Sequence, residues 1–367
     1  ARPTRVLRSA NGSCHRLPGR QAELTSCQEV NCRFSTTQSG ALRACRGHSF
    51  NLRVGTVVVV FALVCPGQGA QTPGMLIPWA KQPGARELLD AWSVAADLDL
   101  LGHGTTSDAD TIRDTAVAQP LLVAAALLSA TALFGSVTPP PNAVVAGHSV
   151  GEFAAAALAG VLTPEEAIRL VAVRGRAMAA AARTTPTGMS AILGGDPEQV
   201  MQRLAELDLT AANVNGAGQI VAAGTLENLA ELAEQAPPRA RVMKLQVAGA
   251  FHTHFMAEAI PALTTTANVL SPLDPRIQIL SNTDGETVTS GRELVHRLIQ
   301  QVVNPVRWDL CQATMARLGV TALVELAPGG VLKGLAKRTL KGVPSVALTN
   351  PDDLAAAREL AQIEATE

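Results

Sequence analysis

A chain of 367 residues, 47% of them hydrophobic and 17% charged, can bury a full core, and its length allows one large domain or two to three smaller ones. The net charge of −1 conceals an asymmetry: residues 1–55 carry nine arginines, no lysine and only Glu23 and Glu29, which is +7 and leaves −8 for the rest. This is a globular protein, and outside that basic segment nothing suggests nucleic-acid binding.

Residues 1–55 show no periodic apolar face and read as non-domain sequence, disordered or derived from a vector or a wrongly started translation. Their Arg- and Ser-rich, acid-poor makeup equally suits a transit peptide. Cys14, Cys27, Cys32 and Cys45 lie here at spacings of 13, 5 and 13, which match no C-x-x-C pattern, so no metal site is expected. The run "VGTVVVVFALVC" that follows Arg53 is too short to span a bilayer as a helix, where about 20 residues are needed. Its β-branched content predicts a buried first strand, Val57 to Val64, ended by the turn residues of "PGQGAQ". Only Cys65 and Cys311 remain beyond it, so no disulfide framework is implied and a reducing cytoplasm fits. No membrane anchor is expected, and the chain is taken as a monomer.

Further strands are predicted at Ala143 to Ala146, Ile277 to Ser281, Ala322 to Leu326 and Ser345 to Leu348. Helices are predicted around Gln119 to Phe134, Gly151 to Ala159, Pro164 to Ala182, Ser290 to Val302, Arg307 to Leu318 and Val331 to Thr339. Buried strands alternating with helices imply an α/β domain with a mainly parallel sheet covered on both faces. Residues 188–249 differ, reading β-α-β-β-α-β, the order of a ferredoxin-like α+β unit. The expected organisation is therefore a core of 56–187 and 250–350, an insert of 188–249, and a C-terminal helix or tail over 351–367.

"VVAGHSVGEFAAAALAG" places Ser149 between Gly147 and Gly151, after an apolar strand and before an alanine-rich helix. In G-x-S-x-G the glycines allow a tight turn that exposes the serine oxygen, and the next N–H sits at a helix N-terminus where it can stabilise an oxyanion. A plain strand-to-helix turn is the alternative. A serine nucleophile needs a base. His148 adjoins Ser149, so a supporting hydrogen bond suits it better, while His103 and His296 read as surface histidines. "VAGAFHTHFMAEA" offers His252 and His254, between which spacing does not choose. Arg174 interrupts the apolar helical run "IRLVAVRGRAM", where a guanidinium could grip a carboxylate or merely pair with Glu165 or Glu166.

Seven segments in order, "PGQGAQ", "GHSVGE", "VAVRGRAM", "NVNGAGQIVAAG", "GAFHTHFM", "QVVNPVRW" and "ELAPGGVLKGLAKR", make residues 57–350 resemble the malonyl-CoA:acyl-carrier-protein transacylases and the acyltransferase domains of fatty-acid and polyketide synthases. The resemblance implies a hydrolase-like α/β domain with a ferredoxin-like insert. It makes Ser149 the acylated nucleophile and, through Met256, selects His252 as its base. The backbone N–H groups of Gln68 and Val150 would form the oxyanion hole, and the Gln301 carbonyl would orient the histidine ring. Arg174 would bind the malonyl carboxylate. Val150 and "GAFH" resemble the malonyl-selective class, with Phe251 limiting space for a 2-methyl group. Asn213, Asn215 and Gln219 are possible pocket amides, with turn or strand-pairing roles as the alternative. No bound cofactor is expected: malonyl-CoA is the donor and the phosphopantetheine arm of acyl carrier protein the acceptor. Lys333, Lys337, Arg338 and Lys341 could offer that acidic carrier a basic patch. The competing activities are a serine thioesterase or esterase, and a catalytically dead carrier-binding scaffold.

Overall fold

The computed structural model describes residues 60–363. The expectations for residues 1–55 and for the start of the first strand lie outside them. The first half comprises β1 (Phe61–Cys65), α1 (Ala85–Ala96), α2 (Leu100–Thr105), α3 (Thr115–Phe134), β2 (Ala143–Gly147), α4 (Gly151–Leu158) and α5 (Pro164–Ala181). Then come β3 (Thr187–Gly194), α6 (Pro197–Glu206), β4 (Thr210–Gly216), β5 (Gln219–Thr225), α7 (Leu226–Glu234) and β6 (Ala240–Lys244). The chain continues through α8 (Ile260–Ala267), β7 (Gln278–Ile279), α9 (Gly291–Gln300), β8 (Val306–Arg307) and α10 (Trp308–Arg317). It closes with β9 (Ala322–Glu325), α11 (Val331–Thr339), β10 (Ser345–Ala347) and α12 (Leu354–Ala361).

The main sheet runs β10-β9-β1-β2-β7 with every neighbouring pair parallel. β1 and β2 are buried at every residue, which is why both read as unbroken apolar runs. Their side chains alternate between two cores: Phe61, Leu63 and Cys65 pack with residues of α1, α3, α4 and α5, whereas Ala62 and Val64 meet Trp308, Met315 and Leu335 from α10 and α11. The register pairs Cys65 with Gly147, so the loops leaving β1 and β2 emerge side by side at the carboxyl edge of the sheet. Ligand sites of open α/β sheets collect at that edge.

Three differences from the sequence reading have physical causes. α3 starts a turn before Gln119, because Asp114 caps it by accepting the Ala116 N–H and Pro120 is accommodated inside the helix. This helix is long and apolar enough to cross a membrane, yet 78% of its apolar window is buried within the protein, and it is the central core helix. α1 was not read from the sequence, although its buried Ala85, Leu89, Trp92 and Ala96 follow a helical period. The strand expected at Ile277 to Ser281 shortens to Gln278–Ile279, since Ser281 and Asn282 leave the ladder for other partners.

The second sheet runs β6-β3-β5-β4 with antiparallel neighbours, the ferredoxin-like order, and α6 and α7 cover it through Val200, Leu204, Leu229 and Leu232. A fifth strand, β8, joins its edge in parallel with β4, pairing Val306 with Asn213. β8 comes from chain beyond the insert, so the insert is clamped to the segment that carries Gln301.

Close packing at the β2–α4 turn leaves no room for side chains. A Cβ on Gly147 would stand 2.0 Å from the Gly151 carbonyl carbon, whereas one on Gly334 in α11 meets nothing within 4 Å. Urea unfolding of Gly147→Ala should show a loss of about 3 kcal/mol or more. Gly334→Ala should gain about 0.5–1 kcal/mol in the same measurement.

Candidate active site

The turn after β2 begins with the His148 N–H, which donates to the Cys65 carbonyl at 3.0 Å and so extends the β1–β2 pairing by one residue. Ser149 then adopts φ +53°, a left-handed conformation that only seven non-glycine residues take among the described ones. That strained turn is what lifts the hydroxyl out of the sheet. Asn282 secures it: its Oδ1 accepts the Ser149 N–H at 2.7 Å, and its Nδ2 donates to the Gly147 carbonyl at 2.8 Å.

His252 Nε2 lies 2.8 Å from Ser149 Oγ, and His252 Nδ1 lies 2.8 Å from the Gln301 carbonyl oxygen. The carbonyl can only accept, so Nδ1 carries the proton and Nε2 is free to take the serine's. His252 is also left-handed, at φ +61°, in a loop fixed by the Thr253 hydroxyl, which donates to the Ala250 carbonyl at 2.6 Å. Burial, and then the positive charge of Arg174, push the imidazole down to about 3. It is therefore neutral at neutral pH.

Arg174 is 1% exposed on the buried face of α5. Its guanidinium donates to Gln119 Oε1 at 2.7 Å and to Gln301 Oε1 at 2.8 Å, approaches Ser149 Oγ at 3.4 Å, and lies 5.6 Å from the Phe153 ring centroid. Its Nε has no partner. Burial lowers the group to about 9, which leaves it charged at neutral pH. The alternative of a salt bridge to Glu165 or Glu166 is not what the structure has: Glu166 accepts from the Thr163 N–H in a capping box at the start of α5. Among the described residues no carboxylate pairs with Arg174.

A cavity of about 250 Å³ opens over these groups, lined by Gln68, His148, Ser149, Arg174, Asn215, Phe251 and His252, with Met178, Met189, Val221 and Val247 as apolar walls. Asn213 and Gln219 line it as well. Gln301 lies behind it, and Val150 occupies the N-cap position of α4, where helical N–H groups have no intrahelical acceptor. His148 Nε2 meets Asn215 Oδ1 at 2.9 Å, its ring packs edge-on against Trp308, and Gly67 approaches it so closely that a Cβ there would stand 2.9 Å from His148 Nδ1. The "PGQG" loop is thereby seated on the serine turn. His254 and His296 are exposed. Among the described residues no cluster of three or more His, Cys, Asp or Glu could hold a metal ion.

Four contributions escaped the sequence reading: Gln119, Glu152, Asn282 and the side chain of Gln301. Glu152 is buried and pushed up to about 7 by that burial, against the pull of the Asn282 and Gln301 donors. Gln119 and Glu152 each stand as a single polar residue in an alanine-rich apolar run, the same mark that singled out Arg174. Asn282 carried no such mark.

Residues 62–358 match the acyl transferase domain family. The chain belongs to this family. It is 53% identical over 296 residues to the malonyl CoA-acyl carrier protein transacylase of Mycobacterium tuberculosis, covering 80% of this chain and 98% of the relative. The Escherichia coli K12 transacylase is 34% identical over 309 residues, covering 82% and 99%. The crystal structure of MCAT from Mycobacterium tuberculosis superposes with a TM-score of 0.77 at 52% identity, over 82% of this chain and 99% of that one. A malonyl-transacylase in complex with its type II PKS acyl-carrier protein gives 0.76 at 30% identity, over 82% and 99%. These acyl transferases share the mainly parallel α/β fold expected from the sequence.

The depressed His252 has a kinetic consequence. The neutral imidazole is the active form, so a fall from 6.5 to about 3 moves the loss of activity to lower pH. Acylation of Ser149 by p-nitrophenyl acetate, a donor without a carboxylate, should stay level from pH 8 to 5 rather than drop about tenfold per unit below 6.5. In Arg174→Ala the acid limb should move upward, since the second cause of the depression is gone.

Proposed function

We propose that this acyl transferase moves a malonyl group from malonyl-CoA to the phosphopantetheine thiol of an acyl carrier protein through an ester on Ser149. The observation that carries the proposal is a buried, charged guanidinium 3.4 Å from a base-paired serine hydroxyl, with no carboxylate of its own. A malonyl group places its carboxylate one methylene from the carbonyl under attack, so an anion on Arg174 sets that carbonyl beside Ser149.

His252 Nε2 takes the serine proton as Oγ attacks the thioester carbon, and the resulting oxyanion faces the N–H groups of Gln68 and Val150. Collapse breaks the carbon–sulfur bond, and the imidazolium returns its proton to the leaving coenzyme A thiol. The carrier thiol then enters, gives its proton to His252, and attacks the ester; Ser149 leaves with that proton. The Gln301 carbonyl keeps the ring in the required tautomer throughout. Such a cycle is ping-pong. Phe251, on the cavity wall, narrows the space beside the methylene, and His148 with Asn215 braces the oxyanion loop.

The carrier would approach over α11, whose Val331, Leu332 and Leu335 border the cavity while Lys333, Lys337 and Arg338 are exposed. That basic face suits an acidic protein. The enzyme would serve fatty-acid or polyketide synthesis in the cytoplasm as a monomer. In this reading the catalytic core comprises 56–187 and 250–350, with 188–249 as its insert and 351–367 as a C-terminal appendage.

Intact-mass measurement after brief mixing with malonyl-CoA should show a malonyl adduct in the wild type and none in Ser149→Ala, and added holo carrier protein should receive it. An adduct lost to water at one rate with or without carrier would instead establish a hydrolase. Arg174→Ala should lower kcat/KM for malonyl-CoA by about 100-fold or more. Phe251→Ser should raise the methylmalonyl-to-malonyl ratio of kcat/KM by about tenfold.

A further inference from the structure

Behind Ser149 lies a second buried ionisable group, Glu152, only 1% exposed. One of its oxygens accepts the Asn282 N–H at 2.7 Å; the other accepts a short hydrogen bond from Gln301 Nε2. The same Nε2 donates to the Ser149 carbonyl at 3.1 Å, and the opposite end of the amide, Oε1, accepts from Arg174 at 2.8 Å. An amide has a donor end and an acceptor end of nearly equal size, so packing alone does not choose between its two orientations. Its neighbours do choose. A guanidinium only donates and a carboxylate only accepts, so Oε1 must face Arg174 and Nε2 must face Glu152.

We propose that Glu152 is a positioning residue for carboxylate recognition: by fixing the Gln301 amide it keeps an acceptor against Arg174 and holds the guanidinium's remaining N–H groups toward the cavity. With the amide reversed, an NH2 group would oppose the guanidinium and push it out of register with Ser149. The inference rests on the malonyl reading of Arg174. It assigns Glu152 a part in choosing the acyl group, beyond the support it lends the serine turn through Asn282.

Glu152→Gln keeps the shape but places a second NH2 in a site that needs two acceptors. The quantity to measure is the ratio of kcat/KM for Ser149 acylation by malonyl-CoA to that by p-nitrophenyl acetate, which uses the serine, the histidine and the oxyanion hole but no carboxylate site. The ratio should fall about tenfold or more in Glu152→Gln. A purely structural role would lower both rates together and leave the ratio unchanged, which would overturn the proposal. Should the variant not fold, the wild type carries the test by pH. The charged and titratable groups facing Glu152 are Arg174 from α5, Arg297 from α9 and the Cys311 thiol from α10. The last two, both raised, keep one state between pH 8 and 6, and Arg174, lowered to about 9, can only gain charge as the pH falls, which would raise the ratio, the opposite sign to Glu152. Protonating Glu152 over that interval should lower the same ratio, and a flat ratio would overturn the proposal. Failure of the malonyl reading itself would look different: the wild type would gain no malonyl adduct at all.

Discussion

A guanidinium buried to 1% exposure, held by two amide oxygens and with no carboxylate paired to it, is the constraint on which the site depends. An isolated charge in such a place is costly unless it is hydrogen-bonded and balanced. Gln119 and Gln301 supply the hydrogen bonds, and Glu152, one amide away, supplies a balancing charge in its ionised form. Because the compensation is indirect, the cation faces the cavity with donors to spare. A carboxylate directly paired to Arg174 would have satisfied the charge and closed the site to any acidic acyl group.

Gln301 is where the separate requirements meet. Its carbonyl holds the His252 ring, its amide oxygen holds Arg174, and its amide nitrogen holds the Ser149 carbonyl and Glu152. It sits on the single 3-10 turn between α9 and β8, and β8 is the strand that locks the insert's sheet to the core. The ferredoxin-like unit is thereby tied to the same segment that positions base and cation.

Much of this was legible in the residues and some was not, for reasons that differ by position. β1 and β2 could be read because strands buried on both faces are continuously apolar, and the serine turn because Gly147 and Gly151 allow an approach that a Cβ would block. Arg174 stood out as a charge in an apolar helix face. Between His252 and His254 the local pattern offered no choice; three-dimensional placement separates them, since one meets Ser149 at 2.8 Å and the other is exposed. Asn282 was not legible at all. Its role depends on a loop 133 residues from Ser149 arriving at the turn, and nothing in "SNTDG" encodes that arrival.

The electrostatics also link recognition to reactivity. His252 lacks a carboxylate partner; a carbonyl orients it but adds no negative charge, so burial and Arg174 together make it a weak base. A carboxylate at Arg174, as proposed, would offset the second of these influences and strengthen the base. A donor without the anion leaves the histidine as weak as before. In the proposed reaction the same guanidinium would therefore serve twice, holding the acidic acyl group and strengthening the base that activates the serine toward it.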